Sequence, residues 1–132
     1  CRYGMFTQEQ LQEMSSNLQL LQEFCKANNI KPYILIPPYK GEFCTKLAAP
    51  TLFDKTMYSR TMQAIEYLKK HNDVEIIYPY EEVKGLYEKS PSRAYFKSDH
   101  HWTDEAAYLG YVKLMKQVKL LHKKSHKKLT KE

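Results

Sequence analysis

Asp99, His100, His101 and Trp102 stand consecutively in this chain: an acid, two imidazoles and the only tryptophan. A carboxylate beside an imidazole fixes the ring's tautomer and stabilises the imidazolium that forms when the ring takes a proton. That pair is the acid–base part of a nucleophilic catalyst. Clusters of this kind also recur at metal sites. In an extended segment side chains alternate, so residues two apart share a face. The spacing therefore predicts Asp99 and His101 together, with His100 turned away. Each residue also has a plain structural use: Asp99 as a turn former, the histidines as polar loop residues, Trp102 as a buried core anchor that fixes the loop.

A helix start follows directly. Thr103 can accept from first-turn amides as N-cap. Asp104 and Glu105 suit the positive end of the helix dipole. The cluster is thus expected on a short loop or strand end feeding a helix that runs from Asp104 to about Lys124, with Ala107, Tyr111, Leu114, Val118 and Leu121 as its apolar stripe. Loops on a rigid scaffold are where reactive side chains collect.

The elements that must hold this loop are legible as alternating periods. Thr7 to Gln10 reads as a capping box. It opens an amphipathic helix whose stripe, Leu11, Met14, Leu18, Leu21 and Cys25, widened by Leu20 and Phe24, is expected to be core. Asn28 and Asn29 end it, asparagine tolerating the left-handed cap. Tyr33 to Ile36 is a short apolar run closed by Pro37 and Pro38, read as a buried parallel strand. Tyr39, Lys40 and Gly41 follow, at the strand's carboxyl end, where open α/β sheets bind ligands. Lys40 there can hold a carboxylate or orient a loop. After an irregular stretch from Phe43 to Leu52, Asp54 or Thr56 is expected to start a second helix reaching His71, with Tyr58, Met62, Ile65 and Leu68 inward. Val74 to Tyr78 is a second strand, nearer the sheet edge because Glu75 interrupts it. Strand–helix–strand implies a right-handed crossover and a parallel, adjacent pair. Pro79 to Glu88 reads as a short helix, Ser90 to Ser92 as loop and Tyr95-Phe96 as a very short strand.

At this point the residues carry a resemblance. Asp99-His100-His101-Trp102-Thr103, with Ala106 and Ala107 behind it, resembles the Asp-x-His-Trp-Thr/Asn motif of SGNH-hydrolase-like polysaccharide O-acetyltransferases of the alginate type, and the DHHW string resembles the bacterial DHHW proteins. Leu18 to Met115 carries the likeness, including Pro38-Tyr39-Lys40 and Tyr95. The resemblance implies a partial SGNH-hydrolase-like (flavodoxin-like) three-layer α/β fold, with a short parallel sheet flanked by helices, over residues 1–132. It implies that Asp99 and His101 are catalytic. Tyr39, Lys40, Tyr95, His100 and Trp102 are the candidates to meet substrate. The implied serine nucleophile lies downstream of this chain, so the domain is expected to be incomplete at its C-terminus and inactive alone. No serine here has a Gly-x-Ser-x-Gly or Gly-Asp-Ser context, and alternation points Ser98 away from Asp99.

By the same resemblance the partners are a cell-surface polysaccharide and an acyl donor, the location is extracytoplasmic, and neither metal nor cofactor is expected. A degenerate, non-catalytic binding or structural module is the alternative. A third reading is a manganese phosphoesterase of the DHH kind, which needs further aspartate motifs that Asp54, Asp73 and Asp104 do not supply. A D-alanyl transfer protein of teichoic acid synthesis ranks lower, since its motif follows a different pattern around the histidine.

Composition bounds these readings. The chain has 132 residues, 42% of them hydrophobic, enough for one domain with a core. Its net charge of +6 is uneven: the residues from Lys113 onward carry +7 and the rest about −1. The basic run lacks interleaved aromatics, so it reads as a solvated helix end and not a nucleic-acid surface. Cys1, Cys25 and Cys44 include no Cys-x-x-Cys spacing, which argues against a zinc ribbon or disulfide framework. Cys25 falls on a helix's apolar side, and Cys1 reads as an arbitrary chain start. No signal peptide or membrane-spanning run is visible, so membrane association and export are expected to depend on other segments.

Overall fold

The computed structural model describes residues 4–44 and 58–129, with side chains as far as residue 119. The expected helix at Asp54 or Thr56, much of the irregular stretch after Phe43, and the lysine-rich end fall wholly or partly outside those residues. The element order is α1 (Gln8–Ala27), β1 (Tyr33–Leu35), a 3-10 turn (Lys40–Glu42), α2 (Arg60–His71), β2 (Glu75–Ile77), α3 (Tyr80–Lys89), α4 (Pro91–Ala94) and α5 (Asp104–Leu129). β1 and β2 are adjacent in a two-stranded parallel sheet, giving a helix-rich α/β fold consistent with a partial SGNH-like domain. The chain divides into two compact units, Cys1–Ile34 with Cys44–Ile76, and Leu35–Phe43 with Ile77–Glu132.

The first unit is a helix pair that buries Leu11, Leu18, Cys25 and Ile65 and is laced by polar ties. Gln10 N–H donates to the Thr7 hydroxyl at 3.2 Å, and Thr7 N–H donates to the Gln10 side chain at 3.0 Å, so the capping box is complete. At the far end Asn29 takes φ 56°, while Ile30 N–H reaches Cys25 O at 2.8 Å and Asn29 N–H reaches Lys26 O at 3.2 Å. These two bonds form the six-to-one and five-to-two pattern of a left-handed helix stop. α2 starts on Ser59, whose hydroxyl accepts from Met62 N–H, later than the sequence pattern implies. Asn72 caps its end from a buried position, donating to Ser15 O at 3.0 Å and accepting from the Ser15 hydroxyl at 2.8 Å. Of the α1 stripe, Leu11, Leu18 and Cys25 are buried, but Leu20 and Phe24 are 64% and 62% exposed and Leu21 is also outside. The expectation that the whole stripe is core is therefore corrected: α2 covers one edge of it. β1 is half-buried, not buried, whereas β2 buries Ile76 and Ile77.

The second unit closes a dense core. Val83, Ala94 and Ala106 are fully buried and Tyr95 is 1% exposed, with Leu86 beside them. Phe43 lies among Tyr80, Tyr87 and Tyr95 at ring-centroid distances of 5.1, 5.5 and 5.9 Å, near-optimal spacings for offset aromatic packing. The loop expected at Ser90 to Ser92 instead leads into a helical turn, Pro91–Ala94, with proline at its first position, where the missing N–H costs nothing. α5 buries Ala106 and Gly110, leaving Tyr111 exposed, so its inward face is rotated from the expected stripe. The reason is close approach. The Trp102 ring lies over Gly110, and a Cβ there would stand 3.0 Å from the ring edge.

Candidate active site

The site belongs to the second unit, on the turn that joins α4 to α5. Tyr95 and Trp102 form a single antiparallel bridge, the whole of what the sequence suggests as a strand at Tyr95-Phe96. Between them the chain bends: Phe96 N–H donates to His101 O at 3.2 Å and Asp99 N–H to Phe96 O at 3.4 Å. On the α5 side, Thr103 N–H donates to Ala94 O at 3.0 Å. The Thr103 hydroxyl accepts from Ala106 N–H and donates to Arg93 O. Arg93 in turn forks onto Glu105, with Nε 2.9 Å from the carboxylate. The N-cap reading of Thr103 thus holds, and the cap also ties α4 to α5.

Lys40 holds the turn from the other side. Its ammonium donates to the carbonyls of Phe96 at 2.7 Å, Asp99 at 2.8 Å and Lys97 at 3.3 Å. Of the two uses open to Lys40, the structure shows loop orientation. The segment that carries Lys40 is itself fixed. Glu42 accepts from Tyr39 N–H at 3.3 Å and from the Tyr78 hydroxyl at 2.5 Å. The Tyr95 hydroxyl donates to Pro38 O at 2.6 Å from a buried position. Sequence reasoning missed Glu42 and Tyr78. A glutamate three residues after Tyr39 is a turn-capping signal that could have found the first.

Asp99 Oδ1 is the focus of the bend. His101 Nδ1 lies 2.9 Å from it and His101 N–H donates to it at 3.2 Å. His100 Nδ1 lies 3.1 Å from the same oxygen, and the two imidazoles sit tilted against each other with centroids 4.2 Å apart. The Asp99–His101 pairing is as the spacing implies, but the expectation that His100 turns away is corrected. Alternation needs an extended backbone, and the Lys40-gathered bend brings both rings round to the carboxylate. The ring and backbone N–H of His101 hold the Asp99 carboxyl down at about 2, well below the usual range, because both bonds favour the charged form. Asp99 is therefore a carboxylate at neutral pH, and its oxygen accepts a hydrogen bond from His101 Nδ1–H. That leaves His101 Nε2 as the basic nitrogen, with no hydrogen-bond partner among the described residues.

The other candidates are spread around this focus. Trp102 is partly buried and packs against the Val83–Tyr95 core, in keeping with the expected anchor of the loop. Tyr39 is exposed, whereas Tyr95 lies under the turn with its hydroxyl on Pro38. Asp99, His100 and His101 each offer one ligand atom within 4.8 Å of the others. Among the described residues, no helix is long and apolar enough to cross a membrane.

A family model for the SGNH hydrolase-like domain of the acetyltransferase AlgX matches residues 4–132. Two solved structures of PatB1 from Bacillus cereus, one carrying a sulfonyl adduct, are 27% identical, with a TM-score of 0.59. They match 82% of this chain, which spans only 35–36% of theirs. No curated protein sequence matches the chain.

Proposed function

The chain belongs to the family of SGNH hydrolase-like acetyltransferase domains of the AlgX type, and from that membership we propose that Asp99 and His101 are the acid–base part of a Ser-His-Asp triad. The serine would come from sequence outside residues 1–132, and the whole protein would move an acetyl group onto a hydroxyl of a cell-surface polysaccharide outside the cytoplasm. The observation that carries this reading is the 2.9 Å contact of Asp99 Oδ1 with His101 Nδ1, braced by the backbone N–H of the same residue.

The steps follow from the tautomer. With Nδ1–H on Asp99, His101 Nε2 takes the serine proton as the serine oxygen attacks the acyl carbonyl. The imidazolium then returns that proton to the donor's leaving oxygen, and an acyl-serine remains. In the second half Nε2 removes the proton of the sugar hydroxyl, which attacks the acyl-serine; the proton goes back to the serine. Asp99 stays ionised throughout and steadies the imidazolium. The sulfonyl adduct on PatB1 supports the reading by analogy, since such groups attach to activated nucleophiles. Lys40, Tyr95 and Trp102 would shape the turn, while the exposed Tyr39 and the exposed ring of His100 would meet substrate.

The test is acetyl transfer by the longer protein that includes the downstream serine. Asp99→Asn is expected to preserve the fold and lower turnover on the order of 10⁴-fold, the loss such triads show when the imidazole takes the wrong tautomer. His101→Ala should be at least as damaging. Full activity in either variant would leave the non-catalytic module as the better reading.

A further inference from the structure

Three ligand atoms in the turn are disposed for something the triad does not use. We propose that Asp99, His100 and His101 also capture a single zinc(II) ion, and that the captured ion switches the acyl-transfer site off. The binding stands on geometry alone; the inhibition rests on the triad reading above.

His100 Nδ1 and His101 Nδ1 lie 3.1 and 2.9 Å from the same Asp99 oxygen, and one ligand atom from each of the three residues lies within 4.8 Å of the others. Zinc bonds of about 2.0–2.1 Å at tetrahedral angles put neighbouring ligands roughly 3.3 Å apart. Two of the three edges are therefore already within about half an ångström of that separation, and small rotations of the exposed imidazoles can close the third. Two imidazoles and one carboxylate favour zinc over magnesium or calcium, which prefer oxygen donors. The side chains of Asp99, His100 and His101 are 44, 73 and 66% exposed, so water can supply the remaining position. The backbone behind them is held by Lys40, which spares the ion the work of ordering the loop.

The consequence for catalysis follows from proton placement. In the triad arrangement Nδ1 of His101 carries the hydrogen that Asp99 accepts, and Nε2 is the base. Zinc binds the Nδ1 lone pair, so the neutral ring must carry its hydrogen on Nε2. A ring in that form has no basic nitrogen for a serine. Metal-bound and base-competent states of His101 exclude one another.

The experiment is titration of the untagged 132-residue chain with zinc sulfate, by calorimetry and by imidazole ¹H–¹⁵N spectra. The expected result is a saturable site that moves His100 and His101 to the Nε2–H tautomer. Asp99→Asn and His100→Ala should each weaken it at least tenfold, since even an outer-shell partner costs ~10-fold or more. Both variants keep His71, Cys25 and Cys44, so binding elsewhere would survive them unchanged, and that result would overturn the proposal. Unshifted histidine spectra at millimolar zinc would overturn it as well. In the longer protein, zinc should abolish acetyl transfer and a chelator should restore it; zinc bound at these histidines with transfer unaffected would overturn the switch. If the longer protein transfers nothing at all, the triad reading fails while the titration still decides the metal site.

Discussion

The two units of this chain spend their apolar residues differently. In the first, α1 has a regular stripe, yet Leu20, Leu21 and Phe24 lie exposed and the helices are joined by Ser15–Asn72 and Phe6–Gln63 hydrogen bonds. In the second, alanines and a glycine let elements approach closely, and one ring cluster fills the space between them. The candidate site sits on the unit that closes its own core. A catalytic pair needs fixed angles, and a packed interior supplies them better than a polar seam.

That contrast can be broken most directly by truncating one aromatic in each unit. Tyr95→Ala should cost about 3–5 kcal/mol, the range for emptying a packed aromatic position. Phe24→Ala should stay within about 0.5 kcal/mol, as exposed substitutions do. Denaturant melts that show equal losses would mean the α1 face is covered in solution.

A smaller effect is expected at Lys40. Lys40→Met should leave circular dichroism unchanged but loosen the turn, lowering acetyl transfer of the longer protein ~10²-fold, the size of loss that a small misplacement brings. Lys40→Arg should recover part of it. A transfer rate insensitive to Lys40→Met would show that the bend holds itself.

The smallest effect concerns the surface pair that ties α4 to α5. The Arg93 guanidinium holds the Glu105 carboxyl below its usual range. Stability from this pair is therefore present above the ordinary glutamate value of 4.5 and is lost as pH falls through the lower folded one. Thermal melts of the parent and Glu105→Gln should differ near pH 6 and converge in acid. A constant gap down to the lowest pH would assign the difference to packing.

What the sequence makes legible follows from where the physical cause lies. The Thr7 box, the Asn29 stop and the Thr103 cap are local, and each was readable within a few residues of itself. The strands and their parallel pairing follow from chain order. The helical turn at Pro91 was hidden because serine and proline serve loops and helix starts alike. Periodicity marks an apolar face but not what covers it, so Leu20 and Phe24 were misread as core. The orientation of His100 had no local signal at all, since the bend around it is drawn together by an ammonium far back in the chain.

That distance has a kinetic consequence. Lys40 meets its acceptors across separations of 56 to 59 residues, and Tyr95 meets Pro38 across 57. Closing a loop of that length precedes any reward from the contacts at its ends. The Asp99–His101 geometry should therefore be among the last features acquired during folding, after the local helices α3 and α4 have formed. A peptide spanning only the turn would carry Asp99, His100 and His101 without the lysine that gathers the bend around them.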